Sequence, residues 1–384
     1  MQIANKFHLQ LLTGSTGSLG VYILSRLMQQ ESVQTIYCLV RASSASTALD
    51  RVLSSLAERS LPMKNVSKIV ALPSQIGSKD LGLASNIIDD LKENLTKIIH
   101  VAWAVNFTIG VRSFEQQHIK GVRNLIDLCL SSRRSTPAEF YFCSSISAAA
   151  GTPLPARIAE APIPQLEHAQ NMGYARSKLV AERIIQAAAE KTGMVAKVLR
   201  VGQIVGDTVT GKWNPTEAIP LMLQTAVTMK ALPALDESPS WLPVDVVADA
   251  ILELTKIKPG ANGKAELFSH DSQVVYHVQN AKTFRWTEDL LPALRDAGLD
   301  FEVVNKREWV QRLRSDEQDP QKNPAVKLID FFAEKYDNDK MGRSGLSFEM
   351  EKSEQASALL RGGVDLIQDG LIKKFVNSWR NNDW

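Results

Sequence analysis

A tyrosine and a lysine stand four apart in Tyr174-Ala175-Arg176-Ser177-Lys178. They open a stretch with helical periodicity, so both side chains project from one face. A nearby ammonium lowers a phenol's pKa, and the same lysine can hold a nicotinamide ribose. The phenol can then donate a proton to an oxygen that gains negative charge during hydride delivery. A Tyr-x-x-x-Lys pair alone is common by chance, and a surface pair is its plain alternative. The context argues otherwise: one connection upstream, an apolar run ends in Cys143-Ser144-Ser145, where a hydroxyl can share the oxyanion. Ser145 lies nearer the carboxyl end of that run and is preferred; Ser144 is the fallback, its alternative a buried hydroxyl bonded to backbone.

A second constellation lies at the start of the chain. An apolar run leads straight into Thr13-Gly14-Ser15-Thr16-Gly17-Ser18-Leu19-Gly20, and a helical pattern follows. Glycine lets the backbone turn tightly and approach a pyrophosphate, and the helix N-terminus offers N–H groups and partial positive charge. The spacing is G-x-x-G-x-x-G, and its position between a strand and a helix carries the nucleotide reading. The second apolar run ends Cys38-Leu39-Val40-Arg41. A dehydrogenase for NAD usually has an acid there for the ribose 2′-hydroxyl. Arg41 instead offers a fork for a 2′-phosphate, with Arg51 in the next helix as helper, so NADPH is the expected cofactor.

These residues need a scaffold. Strands are expected over Phe7–Thr13, Thr35–Arg41, Lys68–Leu72, Lys97–Val101, Glu139–Ser144 and Ala196–Val201. Helices are expected between them, over Leu19–Gln30, Ala45–Arg59, Asn86–Leu95, Ser113–Ser131 and Gly173–Thr192. Nearly continuous apolar strands alternating with helices predict an α/β fold, a doubly wound parallel (Rossmann) sheet covered on both faces. After Val201 glycine, proline and tryptophan become frequent and helices dominate. One strand (Val274–Gln279) and helices over Thr287–Ala297, Lys306–Arg314 and Asn323–Tyr336 are expected, with a polar loop at Asp337–Gly345. The division is therefore residues 1–201 for the nucleotide-binding domain and 202–384 for a smaller, mainly helical substrate region, partly interleaved with the sheet.

Composition narrows the classes. Lys plus Arg is 44 against 42 for Asp plus Glu, and that net charge of +2 leaves no footprint for nucleic acid or an anionic membrane. No apolar run reaches the ~18 residues of a membrane span. The three cysteines, Cys38, Cys129 and Cys143, read as buried thiols without metal-ligand spacing, so no metal is expected and the cytoplasm is the expected compartment.

Together, in this order, these residues are similar to the extended short-chain dehydrogenase/reductases. More narrowly the chain resembles the thioester reductase domain of fungal nonribosomal peptide synthetase-like enzymes and carboxylic acid reductases. The match covers nearly the whole chain, through Leu11–Gly20, Tyr37–Ala42, IIHVAWAVNF (98–107), His118–Leu130, GYARSKLVAE (173–182), LRVGQIVG (199–206), Gly211–Asn214, WLPVDVVAD (241–249) and Val275–Asn280. The resemblance implies reductive release, in which NADPH reduces an acyl thioester on the phosphopantetheine arm of a carrier (thiolation) domain. Tyr174 and Ser145 would stabilise and protonate the oxyanion, and the hemithioacetal would collapse to aldehyde and thiol. It also implies that Val101, Ala102 and Gly202 line the cofactor with backbone, and that the region from Trp213 to Val246 contributes to the acyl and pantetheine pocket. Trp213, Phe107 and Trp241 could serve an aryl group, with core packing the ordinary explanation for each.

The chain departs from the family pattern in places. Ser74-Gln75-Ile76 replaces the usual Gly-Asp-Leu after the third strand, leaving Gln75 and Ile76 for the adenine edge. His118 replaces an asparagine and is read as structural. Adenylation and carrier domains are absent from the sequence, so an excised terminal domain or a stand-alone relative is expected. Two other readings stay open: another NADP-dependent short-chain enzyme, such as an acyl-CoA or carbonyl reductase or a sugar epimerase, and a non-redox release or docking module.

Overall fold

The apolar runs pair into one sheet of seven parallel strands: β1 (His8–Thr13), β2 (Val33–Val40), β3 (Ile69–Pro73), β4 (Leu95–His100), β5 (Glu139–Ser145), β6 (Ala196–Val201) and β7 (Gln273–Val278). The order is β7-β6-β5-β4-β1-β2-β3. The computed structural model describes residues 8–257, 273–338, 345–382 and 384. Phe7, and residues 339–344 of the expected loop at Asp337–Gly345, lie outside the described residues. Strand order reverses between β1 and β4, and a doubly wound sheet binds its ligand in the crevice at the carboxyl ends of such a pair.

Helices α1 (Ser18–Gln29), α2 (Ala45–Glu58), α3 (Ser85–Asn94), α4 (Lys120–Leu130) and α5 (Gly173–Thr192) form the connections. Ser44 caps α2 by accepting the Thr47 N–H at 3.1 Å, and Gly193 ends α5 with φ +71°. The apolar faces of α4 and α5 pack with the sheet: Val122, Leu125, Ile126, Ala181 and Ile185 join Ile98, Phe140 and Phe142 in one buried cluster.

The helix expected over Ser113–Ser131 is broken. Its first part is a 3-10 turn (Val111–Phe114) and a π-turn (Glu115–Ile119), and only α4 is regular. At the widened turn Gly77 comes so near the Gln116 carbonyl that a Cβ would lie 2.0 Å from its oxygen. Periodicity carries no trace of such a long-range approach. Two other expected helices are divided as well. Thr287–Ala297 becomes a π-turn (Trp286–Leu290) and a short helix with a proline in its first turn (Leu291–Asp296). Asn323–Tyr336 becomes a 3-10 stretch (Pro324–Leu328) and a helix (Ile329–Tyr336).

The chain divides into two compact units. The first takes Met1–Gly202, Asp245–Gln279 and Leu346–Gly362; the second takes Gln203–Val244, Asn280–Gly345 and Gly363–Trp384. Within the first unit, the returning stretches add β7 and a short strand, Leu346–Phe348, that pairs in parallel with Ala156–Ile158. The Glu160 carboxylate accepts the Ser353 and His277 N–H groups, both at 3.1 Å, and thereby caps the helix Glu351–Ala356.

The second unit has two short parallel pairs, Ile204–Val205 with Leu242–Pro243 and Ala231–Ala234 with Glu302–Asn305. Helices Ala218–Thr228, Lys306–Ser315 and Leu371–Asn382 surround a core of aromatic rings. Trp213 meets Trp241, Phe375 and Trp379, each with ring centroids 5.5 Å apart. Trp213 and Trp241 are buried, so the packing reading holds for both.

Candidate active site

β1 ends in Thr13, whose buried hydroxyl organises the crevice. Its Oγ1 accepts the N–H groups of Val101 and Ala102, both at 3.1 Å. With both lone pairs used, its own hydrogen goes to His100 Nδ1, 2.7 Å away, which leaves the His100 proton on Nε2. Burial, with the Lys178 charge adding to it, holds His100 well below the usual histidine range, so this ring is neutral. Thr13 and His100 thus fix the turn after β4 against the glycine loop.

That loop needs its glycines. Gly14 has φ +76°, and a Cβ there would lie 2.8 Å from the Ala102 nitrogen. A Cβ on Gly20 would lie 2.0 Å from the Gly14 oxygen. Ser15 and Leu19 are buried beneath the turn, Thr16 is half-buried, and Gly17 and Ser18 are exposed. Gly17 begins α1 without a side-chain cap, and no acidic residue lies in the first turn.

β5 delivers two serines with different fates. Ser144 is buried and donates to Glu182 Oε1 at 2.5 Å. Ser145 is half-buried, accepts the Ser147 N–H at 3.2 Å, and lies beside the Tyr174 hydroxyl. Of the two, Ser144 is engaged by Glu182 and Ser145 is the one beside Tyr174. α5 starts at Gly173, where a Cβ would lie 2.1 Å from the Ile109 oxygen, so the helix begins tight against the 109–110 turn. Trp103 secures its first turn by donating Nε1–H to Ser177 Oγ at 3.1 Å.

Lys178 donates Nζ–H to the Cys143 carbonyl at 2.6 Å. Its ammonium lies 4.3 Å from the Trp103 ring centroid, 4.8 Å from Phe142 and 5.8 Å from Tyr174. Burial lowers its pKa to about 8. The expectation that this ammonium lowers the Tyr174 pKa is corrected here. Burial dominates and raises it, the Cys143 thiol adds to the rise, and Ser145 opposes it. Lys178 gives one N–H to the Cys143 carbonyl and rests its ammonium against the aromatic rings. Tyr174 is a neutral phenol with a proton to give.

The remaining expected positions are spread around this crevice. Arg41 is exposed, and its carbonyl accepts from Arg51 Nη1, which brings the two arginines together. Arg41 also acts electrostatically on His118, whose pKa is lowered to about 4 by burial, Lys178 and Arg41. Gln75 is exposed and accepts the Ser78 hydroxyl at 3.3 Å. Ile76 is buried over Gly121. Gly202 uses its N–H on the Val278 carbonyl at 2.9 Å. His118 Nε2 accepts the Ala104 N–H at 3.3 Å, a structural role in the turn after β4. Sequence reasoning missed Thr13, His100 and Trp103. Their only signal was polar or aromatic character at the ends of apolar runs.

A dinucleotide suits these residues. The Gly14 and Gly20 positions have no room for a side chain, and the uncapped start of α1 presents N–H groups where pyrophosphate oxygens would bind. The sequence profile of an NAD-binding family described as Male sterility protein matches residues 12–251, well over half of the chain.

The chain belongs to this family.

It is a reductase domain of NAD(P)-binding type. The chain is 33% identical over 97% of its length to 3-methylorcinaldehyde synthase tropA of Talaromyces stipitatus, covering 14% of that protein. It is 34% identical over 95% of its length to the non-reducing polyketide synthase pkdA of Emericella nidulans, covering 15% of it. It is 31% identical over 96% of its length to the adenylate-forming reductase Nps10 of Heterobasidion annosum, covering 34% of it. The reductase thus spans between 14% and 34% of these curated relatives. Among solved structures it is similar to the terminal R domain of the myxalamid PKS-NRPS pathway, with TM-score 0.82, 25% identity and coverage of 99% and 92% of the two chains. A thiolation-reductase di-domain from an archaeal nonribosomal peptide synthetase shares the fold at TM-score 0.76 and 21% identity, over 98% of this chain and 76% of that one. Among the described residues no helix is long and apolar enough to cross a membrane, and no cluster of three His, Cys, Asp or Glu residues could hold a metal ion.

Proposed function

We propose that this reductase uses NADPH to reduce an acyl thioester, presented on the phosphopantetheine arm of a thiolation domain, to an aldehyde with release of the thiol. The observation that carries the reading is the placement of Tyr174 and Lys178 on one face of α5, with Ser145 beside Tyr174 at the carboxyl end of β5. Support for the substrate comes from the relatives, which by name include an aldehyde synthase and a thiolation-reductase pair.

Tyr174, Ser145 and Lys178 are the proposed catalytic residues. NADPH supplies the hydride to the acyl carbon. The Ser145 and Tyr174 hydroxyls donate to the carbonyl oxygen, and their hydrogen bonds strengthen as charge grows there. Tyr174 passes its proton to that oxygen, giving a hemithioacetal. The phenolate then takes the hemithioacetal proton back as the C–S bond breaks. Aldehyde leaves, and the thiolate is protonated from solvent. Protonated Lys178 stabilises the transient phenolate and holds the nicotinamide ribose.

The proposed cofactor set comprises Gly14, Ser15, Thr16, Gly17, Ser18, Leu19 and Gly20 at the pyrophosphate, with Arg41 and Arg51 at the 2′-phosphate. Gln75 and Ile76 would flank the adenine, and Val101, Ala102 and Gly202 would contribute backbone. Arg41, exposed beside Arg51, favours NADPH over NADH because the two guanidinium groups complement a phosphate dianion. Three free, buried cysteines support a reducing, cytoplasmic setting.

The test is NADPH oxidation with pantetheine and N-acetylcysteamine thioesters, with products identified by mass spectrometry. Aldehyde formed in step with NADP⁺, with NADH serving poorly, is expected. Turnover of free carbonyl compounds alone would replace the thioester with another short-chain substrate. Absence of NADPH binding would remove the redox reading.

A further inference from the structure

Of two polar rows that cross the sheet, one lies next to the carboxyl ends of its strands. Ser144 of β5 stands opposite Arg200 of β6, which stands opposite His277 of β7. All three are buried, Arg200 completely. Over the row lies Glu182 of α5, also buried and on the same helix face as Tyr174 and Lys178, eight and four residues before it. Glu182 Oε1 accepts the Ser144 hydroxyl at 2.5 Å. Arg200 Nε contacts both carboxylate oxygens at 3.1 Å, and Nη2 donates to Oε2 at 2.7 Å. At the far end, Arg200 Nη1 meets His277 Nε2 at 3.4 Å, and His277 Nδ1 is 2.6 Å from the Glu349 carbonyl. Nδ1 must therefore carry the proton, and Nε2 accepts from the guanidinium.

A buried ion pair is expensive to assemble, and an apolar pair of equal volume would suit a core as well or better. This one lies at one particular place: Ser144 is the residue before Ser145, and its own neighbour Cys143 holds Lys178 through its carbonyl. We infer that Glu182 is a positioning residue, which locks the Tyr174–Lys178 face of α5 to the carboxyl end of β5 through Ser144 and Arg200. The inference rests on the reductase reading for its activity readout, though not for its second readout.

Glu182 also acts on Lys178 through space. The groups facing that ammonium are Cys143 of β5, Tyr174 and Glu182 of α5, His100 at the end of β4 and His118 in the turn before α4. Both histidines are neutral near pH 7, and the Cys143 thiol is pushed up by burial and is neutral too. Cys143, and after it the Glu182 carboxylate that pairs with Arg200, oppose the effect of burial on Lys178.

The experiment uses the full chain with Ser144→Ala and Glu182→Gln, each judged by two measurements. One is kcat and KM for thioester reduction. The other needs no substrate: the pH dependence of Lys178 acetylation by acetic anhydride, read by peptide mass spectrometry. Ser144→Ala leaves the ion pair whole. It is expected to lower kcat about 10-fold, leave the NADPH KM within about twofold, and speed Lys178 labelling several-fold. Glu182→Gln is expected to lower the Lys178 labelling midpoint by about one pH unit. If Glu182→Gln does not fold, Ser144→Ala decides alone. Wild-type kcat with an unmoved labelling curve would overturn the inference and leave the reductase reading intact. Shifted labelling in a chain that reduces no thioester would support the inference and overturn the thioester reading.

Discussion

The two units are stabilised by different means. The first is a sheet of apolar ladders crossed by buried polar side chains that are held in pairs, such as Thr13 with His100 and Ser144 with Glu182. The second contains six of the seven tryptophans and is organised by ring packing around Trp213, Trp241, Trp309 and Trp379. Ladders position atoms along a fixed register and suit chemistry that needs tenths of an ångström. Ring packing fills volume and tolerates varied shapes. The contrast predicts that substitutions in the first unit act on rate and in the second on stability.

The largest effect is expected at Trp309, fully buried, donating to Thr225 Oγ1 at 3.0 Å and edge-on to Phe332 at 5.2 Å. Trp309→Ala should cost about 3–5 kcal/mol in denaturant unfolding. A loss under about 1 kcal/mol would break the claim that aromatic packing carries this unit. Tyr174→Phe should cut aldehyde formation about 100-fold while the unfolding midpoint stays near wild type. An unchanged rate removes the tyrosine from the chemistry. Next, Arg41→Ala should raise the NADPH KM about 10-fold and leave the NADH KM alone, checked by initial rates with both cofactors. Equal effects on both cofactors would remove Arg41 from the 2′-phosphate. The smallest effect is a pH dependence. Lys178 titrates at about 8, and its protonated form is the useful one, so kcat/KM should be intact below pH 8 and fall as pH rises through it. A profile flat to pH 10 would show that the ammonium is dispensable.

Much of the fold was legible because its signals are local. The apolar runs at 35–41, 139–144 and 196–201 became β2, β5 and β6 with ends moved by at most two residues. The helix opened by Gly173 and closed by Gly193 was readable from its periodicity. The spacing of Tyr174 and Lys178, and a serine at a strand end, were enough to anticipate that the three would meet. What stayed hidden depends on residues far apart in the chain. Thr13 and His100 are 87 residues apart, and Arg200 and His277 are 77 apart. The direction of the Tyr174 pKa shift was misread because spacing reveals a neighbouring charge but not burial, and burial prevails. In the second unit, Glu302–Asn305 and Ala231–Ala234 are short strands of four residues, too brief to leave a period.

The cap that Glu160 places on the helix Glu351–Ala356 has a consequence for biosynthesis. Glu160 and Ser353 are separated by 193 residues, so this bond forms only after residue 353 has left the ribosome. β7 likewise reaches the sheet only after residue 273 has been made. A nascent chain ending near residue 202 therefore displays β6 as an open sheet edge and leaves the Glu160 carboxylate without these donors. Such an edge invites pairing with other chains. Shortening this polypeptide to its first 202 residues would not yield a minimal nucleotide-binding domain. It would yield an arrested folding intermediate that aggregates.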